Sequence, residues 1–388
     1  MIDSSESVLL FMCVPVLLFA AVWACATRSH ADAASGPTLD AGRATPSADG
    51  ATLWYNALDI GIEGQGWSDV NHPYDRLPAR AEGVVPAPVW SLSHHAAGLC
   101  CRFVTDSLSV SARWSLRNDS LAMNHMPATG VSGLDLYVKT GDTWKWAAVG
   151  RPTAQRGNET ILIKDAPSGI HEYMLYLPLY NGVDSVEVGV GTGSILAKPP
   201  EYPEERAKPM LFWGTSIVQG GCAARPGMAY PAILGRRMNR PVINLGFSGN
   251  GRMDPEVADL IAELDAAVFV IDCAPNMDPA LIAERTEPTV HALRKAHPET
   301  PIVLVENVPY QQGWFVESRR DAYHAKNETL ENAYRNLRQQ GITDLYYVPC
   351  DALLGTDAEA TVDGTHPTDL GFMRMADAIE PTLREAVR

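Results

Sequence analysis

The chain has 388 residues, 46% of them apolar, which allows a sizeable core and suggests two domains. Its 31 Lys and Arg against 46 Asp and Glu give a formal net charge of -15, which argues against a nucleic-acid partner, because phosphate binding needs clustered cations. That balance suits a neutral or cationic ligand.

Val8–Ala26 is an apolar run of about a membrane span's length, followed by the small-residue site Ala31-Asp32-Ala33. Residues 1–33 therefore read as a secretory signal peptide, and the protein as secreted or periplasmic. The acidic start Met1–Glu6 and the length of the run favour the alternative, a retained membrane anchor. Residues 34–50, rich in Ala, Ser, Gly, Thr and Asp, read as a linker. Residues 51–197 carry short alternating segments such as Val104–Trp114, Leu134–Val138 and Val186–Val190, punctuated by Gly, Asn and Asp. This pattern predicts a β-sandwich domain. Asn181-Gly182, between Tyr176–Tyr180 and the next alternating strand, reads as the turn of a hairpin.

After Lys198–Pro203 the texture changes. Apolar runs at Met210–Trp213, Val242–Leu245, Val268–Asp272, Ile302–Glu306 and Leu345–Val348 predict strands. Tyr230–Met238, Glu256–Leu264, Pro279–Ala296, Ser318–Gln340 and Ala376–Val387 predict helices between and after them. Such alternation implies parallel pairing, hence a three-layer α/β/α sandwich over residues 204–388. Sites in these sheets lie beyond the carboxyl ends of the strands.

Seven cysteines are too few for a disulfide framework, although one pairing through Cys222 or Cys350 is conceivable in an oxidising compartment. No Cys or His run has zinc spacing, so no metal is expected.

Four segments carry chemistry. Gly214-Thr215-Ser216 puts a serine on a strand-to-helix turn. Asn244–Gly251 holds three glycines that let backbone approach a ligand. Asn276 ends the segment after a buried strand, where an amide donates a hydrogen bond without adding charge. Asp363-Gly364-Thr365-His366 supplies a base and its orienting acid on one loop. Each alone is as well explained by a helix cap or a turn. Their occurrence together is far more specific.

With these blocks the chain resembles the SGNH hydrolases, the esterase and lipase family also called GDSL. Ser216 matches the nucleophile, Gly249 the block-two glycine, Asn276 the block-three asparagine, and Asp363 with His366 the terminal Asp-x-x-His. The resemblance implies a flavodoxin-like SGNH fold and an oxyanion hole built from Ser216, Gly249 and Asn276. Thr215 stands where the family has Asp, and Ile217 where it has Leu. The Gly214–Gly220 variant looks like a carbohydrate-esterase-like branch. Gly133-Leu134-Asp135-Leu136-Tyr137 resembles the Gly-x-Asp-Leu-Tyr motif of β domains that precede such hydrolases.

The resemblance implies acyl transfer by Ser216, His366 and Asp363 without a cofactor. The expected substrate is an acetylated saccharide, with Tyr310, Gln312 and Trp314 as candidate sugar contacts. The alternatives are an esterase or lysophospholipase acting on other small esters, or a non-catalytic carbohydrate-binding protein.

Overall fold

Alternation along each strand decides the two faces of the C-terminal sheet. In Met210–Gly214, Met210 and Phe212 enter one apolar cluster, while Leu211 and Trp213 enter another. A strand buried on both faces reads as a continuous apolar run, which is characteristic of parallel sheets. Five such strands pair in parallel, in the order Val242–Gly246, Met210–Gly214, Val268–Asp272, Ile302–Val305 and Leu345–Val348. Helices Tyr230–Met238 and Asp369–Ala386 cover the Phe212 face through Ile233, Leu234, Met375 and Leu383. Helices Pro255–Ile261, Pro279–Ala296 and Glu317–Gln339 cover the Trp213 face through Val257, Ile282, Val290 and Leu330. This is the expected three-layer arrangement. The first strand has its two successors on opposite sides, and the crevice at such a switch point is where ligands bind.

The computed structural model describes residues 36–388. The expected signal peptide lies outside them. Among the described residues no helix is long and apolar enough to cross a membrane.

Residues 36–50 differ from the expected linker. Gly36 N donates to Lys198 O, Leu39 N donates to Leu196 O, and Thr45–Pro46 pairs with Thr52–Asn56. The final helix starts at Asp369 rather than Ala376. Gly371 lowers helix propensity in its first turn, but the Thr368 side chain caps that turn and Phe372 is buried.

The N-terminal part forms two five-stranded antiparallel sheets. They share one core, to which Tyr55, Ala112, Trp114 and Val188 come from one sheet and Phe103, Leu136, Tyr173 and Leu175 from the other. Two expectations give way here. The alternating run 104–114 splits into Cys100–Thr105 and Val110–Leu116, which lie in different sheets. Thr105 Oγ1 accepts from Ser107 N, and Ser107 Oγ donates to Ser109 O, so the hydroxyls turn the chain between them. Likewise, no hairpin forms at Asn181-Gly182: the flanking strands His171–Tyr176 and Val183–Gly191 belong to different sheets. Leu179 and Tyr180 leave the β core and enter the Phe212 cluster.

The described residues, 36–388, form one compact unit. Buried Arg76 donates to the carbonyls of Leu92, His95, Asn244 and Gly246, tying the N-terminal part to the second parallel strand. Asp135 of the Gly-x-Asp-Leu-Tyr segment makes a second tie. Its carboxylate accepts from Arg225 and Gly227 N at 2.8 Å and from Trp146 Nε1 at 3.0 Å. All five cysteines among the described residues are free, so the pairing considered for Cys222 or Cys350 does not form.

Candidate active site

The turn at Ser216 follows from three residues. Gly214 ends the first parallel strand, and Thr215 takes an extended conformation. Its hydroxyl accepts the Ile217 N–H and caps the short helix Ser216–Gln219. Thr215 thus serves as an uncharged cap. Ser216 opens the helix and is largely buried. Gly251 packs against this turn: a Cβ there would lie 2.1 Å from Gly214 O, so only glycine lets the second loop pass.

The loop after Ala360 brings Asp363 and His366 to Ser216. Asp363 Oδ1 accepts the N–H groups of Thr365 and His366 at 3.0 and 2.8 Å, folding the loop into a turn around its own carboxylate. Asp363 Oδ2 lies 2.7 Å from His366 Nδ1. His366 Nε2 lies 2.9 Å from Ser216 Oγ. With Nδ1–H donating to the carboxylate, the Nε2 lone pair faces the serine hydroxyl. Partial burial raises the Asp363 pKa, but hydrogen bonds from the His366 and Thr365 backbone and from the His366 ring outweigh it and hold the carboxyl below its usual range.

Gly249 is exposed, at φ 70°, a conformation that other residues rarely adopt. Asn276 ends the short 3-10 turn Ala274–Asn276. Gly251 N donates to its Oδ1 at 3.1 Å. This commits the amide oxygen and leaves the NH2 group as the available donor.

Several supporting residues carry no sequence signal. Buried Gln219 accepts from Ser248 N at 3.0 Å and donates to Leu179 O at 3.1 Å, so it pins the Gly249 loop to the N-terminal part. Its Nε2 also lies 3.1 Å from His95 Nδ1. Burial first, then the nearby Arg76 charge, pushes His95 down to about 3, so its ring stays neutral and accepts there. Tyr180 OH donates to Ser216 O at 3.3 Å. Gln311 Oε1 accepts from Ala360 N and Thr361 Oγ1, and Gln311 N donates to Gly364 O, bracing the acid–base loop. Isolated polar residues in loops have no periodicity, and only their partners reveal them.

The three candidate sugar contacts separate. Gln312 donates to Asp363 O at 3.1 Å and so also braces that loop. Tyr310 OH accepts from Lys326 Nζ at 2.9 Å, with the Arg319 guanidinium 4.7 Å from its ring centre. Trp314 is 78% exposed beside the equally exposed Phe315. Trp314 lines an open pocket of about 400 Å³ together with Asp363 and Gly364. A larger one, about 760 Å³, lies along Tyr310, Trp314, Tyr323 and Asp357, and Ser216 does not line it.

Two further residues stand beside His366. The His125 ring meets it edge-on, with centroids 5.9 Å apart. Cys222 has a positive φ of 74°, and burial, then Asp363, pushes its thiol up to about 12.

Residues 207–384 match the GDSL-like lipase/acylhydrolase family. Residues 52–196 match the GxDLY family, described as the N-terminus of SGNH-hydro-type esterases. A crystal structure from Bacteroides ovatus, described as a GDSL-like lipase, is 35% identical with a TM-score of 0.81, covering 87% of this chain and 98% of that one. The salicylyl-acyltransferase SsfX3 from a tetracycline biosynthetic pathway is 19% identical with a TM-score of 0.67, covering 89% and 99%. A family two carbohydrate esterase from Cellvibrio japonicus is 14% identical with a TM-score of 0.53, covering 91% and 94%. The last two share the fold. No curated protein sequence matches the chain.

Proposed function

The chain belongs to the SGNH (GDSL-like) acylhydrolase family, and from that premise we propose that it is a secreted serine esterase removing O-acetyl groups from carbohydrates. One observation carries the reading: the unbroken relay from Ser216 Oγ to His366 Nε2 at 2.9 Å and from His366 Nδ1 to Asp363 at 2.7 Å. His366 takes the hydroxyl proton as Ser216 attacks the ester carbonyl, and Asp363 stabilises the resulting imidazolium. The N–H groups of Ser216 and Gly249 and the Asn276 amide hold the oxyanion. His366 then returns the proton to the departing alkoxide, and water cleaves the acyl-enzyme. The Ser216, His366 and Asp363 roles rest on those two distances, and the oxyanion roles on the donor chemistry of backbone N–H and amide groups.

A sugar ester is favoured by the exposed Trp314 face beside the Asp363 loop, since an aromatic plane offers a rigid apolar surface to a pyranose. The net charge of -15 suits an uncharged glycan. The fold shared with a carbohydrate esterase is in keeping with this. Secretion rests on the leader 1–33. We read 51–197 as a β-sandwich domain and 204–388 as the hydrolase domain.

The test is acetate release from acetylated xylan and from p-nitrophenyl acetate. The reading expects turnover of both and a lower kcat/KM on the polysaccharide for Trp314→Ala, with the aryl ester unaffected. Turnover of the aryl ester alone overturns the carbohydrate assignment.

A further inference from the structure

We propose that His125, Cys222 and His366 form a site for one soft divalent cation, such as Zn2+, which draws His366 Nε2 away from Ser216 and switches hydrolysis off. The three side chains each offer a donor atom, and these atoms all lie within 4.8 Å of one another. Four-coordinate zinc binds His nitrogen at about 2.0–2.1 Å and Cys sulfur at about 2.3 Å, so its ligands sit roughly 3.3–3.8 Å apart. Closing the site therefore asks no pair to approach by more than about 1.5 Å. His125, exposed on the loop before Pro127, can supply the movement in its own two pairs, and the shift of His366 away from Ser216 supplies it in the third.

The other two donors are partly oriented already. His366 Nδ1 is engaged by Asp363, so Nε2 carries the lone pair, and Ser216 Oγ at 2.9 Å is the partner a metal would displace. This carboxylate–histidine pairing also orients and strengthens a histidine that binds metal. Cys222 has a φ of 74°, uncommon for any residue but glycine. Its turn is fixed to the nucleophile helix by Gly221 N donating to Ser216 O at 2.7 Å and Ala223 N donating to Gly220 O at 3.1 Å. A strained backbone position next to a reactive group is a reason to ask what its side chain does.

A thiol and two imidazoles suit zinc, cobalt or copper and not the oxygen-seeking Mg2+ or Ca2+. Three protein ligands leave a fourth position for water. Binding would release the Cys222 proton to solvent as the thiolate–metal bond forms. Hydrolysis stops because the metal occupies the lone pair that must accept the Ser216 proton. The ligands come from three distant segments, which is why no metal spacing exists in the sequence.

The inhibition half of this proposal rests on His366 being the base, whereas the binding half does not. The experiment is a Co2+ titration of the whole protein, followed by its thiolate-to-cobalt absorption band, with p-nitrophenyl acetate hydrolysis measured in parallel. Wild type should take up one equivalent, show the band, and lose its activity until EDTA restores it. Mg2+ should do nothing. In Cys222→Ala the band should vanish. In both Cys222→Ala and His125→Ala, inhibition relative to each variant's own metal-free rate should weaken by more than about tenfold, the loss that even an outer contact to a metal site causes. His125 is exposed, so its variant also guards against a folding artefact in Cys222→Ala. The absence of the band in wild type, equal binding in both variants, or binding that leaves the rate unchanged would each overturn the proposal. If the wild type hydrolyses no ester at all, the optical titration alone decides, so this failure and that of the esterase reading remain separable.

Discussion

Asp272 ends the central strand with no exposed surface. Tyr230 OH donates to its Oδ2 at 2.9 Å, while Oδ1 finds no partner among the described residues. Burial pushes its pKa up to about 7, against a smaller opposing effect of the Tyr230 bond. A folded-state pKa above the unfolded value gives stability that is full below the ordinary carboxyl range and lost as pH rises through about 7. The melting temperature should therefore fall as pH is raised from about 5 to about 9, and Asp272→Asn should flatten that slope. A slope unchanged in the variant would place the titration elsewhere. For Asn276→Ala we expect kcat to drop by about 100- to 1000-fold with little change in KM, as for a donor used only in the transition state. A KM effect alone would remove Asn276 from the oxyanion hole. Ser216, Asp363 and His366, which the fold brings into one hydrogen-bonded chain, were legible because each lies in a short local motif at a strand's end or on one loop, and the proposed donors Gly249 and Asn276 lie in motifs of the same kind. Arg76, Gln219 and Gln311 were not, because each matters only through partners far along the chain or in irregular backbone.

The parallel strands were legible at the scale of elements because burial on both faces demands apolar runs. The β segments were harder, since alternation marks a strand without saying which sheet receives it. Ser107 and Asn181 show the consequence: one turns a single alternating run into two strands, and the other sits at a crossover with a hairpin's signature. The Gly-x-Asp-Leu-Tyr segment also changes meaning. Its Asp135 clamps Arg225 and Gly227 in the loop after helix Ser216–Gln219, and the Arg236 guanidinium lies 3.9 Å from the Tyr137 ring centre. Asp135→Ala leaves a partly buried guanidinium without its carboxylate and should cost about 3–5 kcal/mol in denaturant unfolding. A loss below about 1 kcal/mol would mean that the pair behaves as a surface ion pair.

For the whole molecule, the two parts share cores instead of merely touching. Leu77, Val85 and Val89 of the N-terminal part pack with Trp213 and Phe247, and Leu179 and Tyr180 pack with Ile217 and Tyr230. With Arg76 and Asp135 crossing the same boundary, calorimetry should show one cooperative unfolding transition. Two separated transitions would mean that the N-terminal part is an independent module. That boundary also holds the site, since Gln219 and Tyr180 link the Gly249 loop and the nucleophile turn to N-terminal backbone and core. The central claim is that Ser216 is the nucleophile, and the most direct measurement is acetate release by Ser216→Ala against wild type under identical conditions. The account predicts that kcat falls by about 10⁴- to 10⁶-fold while the variant retains the wild-type melting temperature; a folded Ser216→Ala protein that releases acetate at the wild-type rate would contradict it.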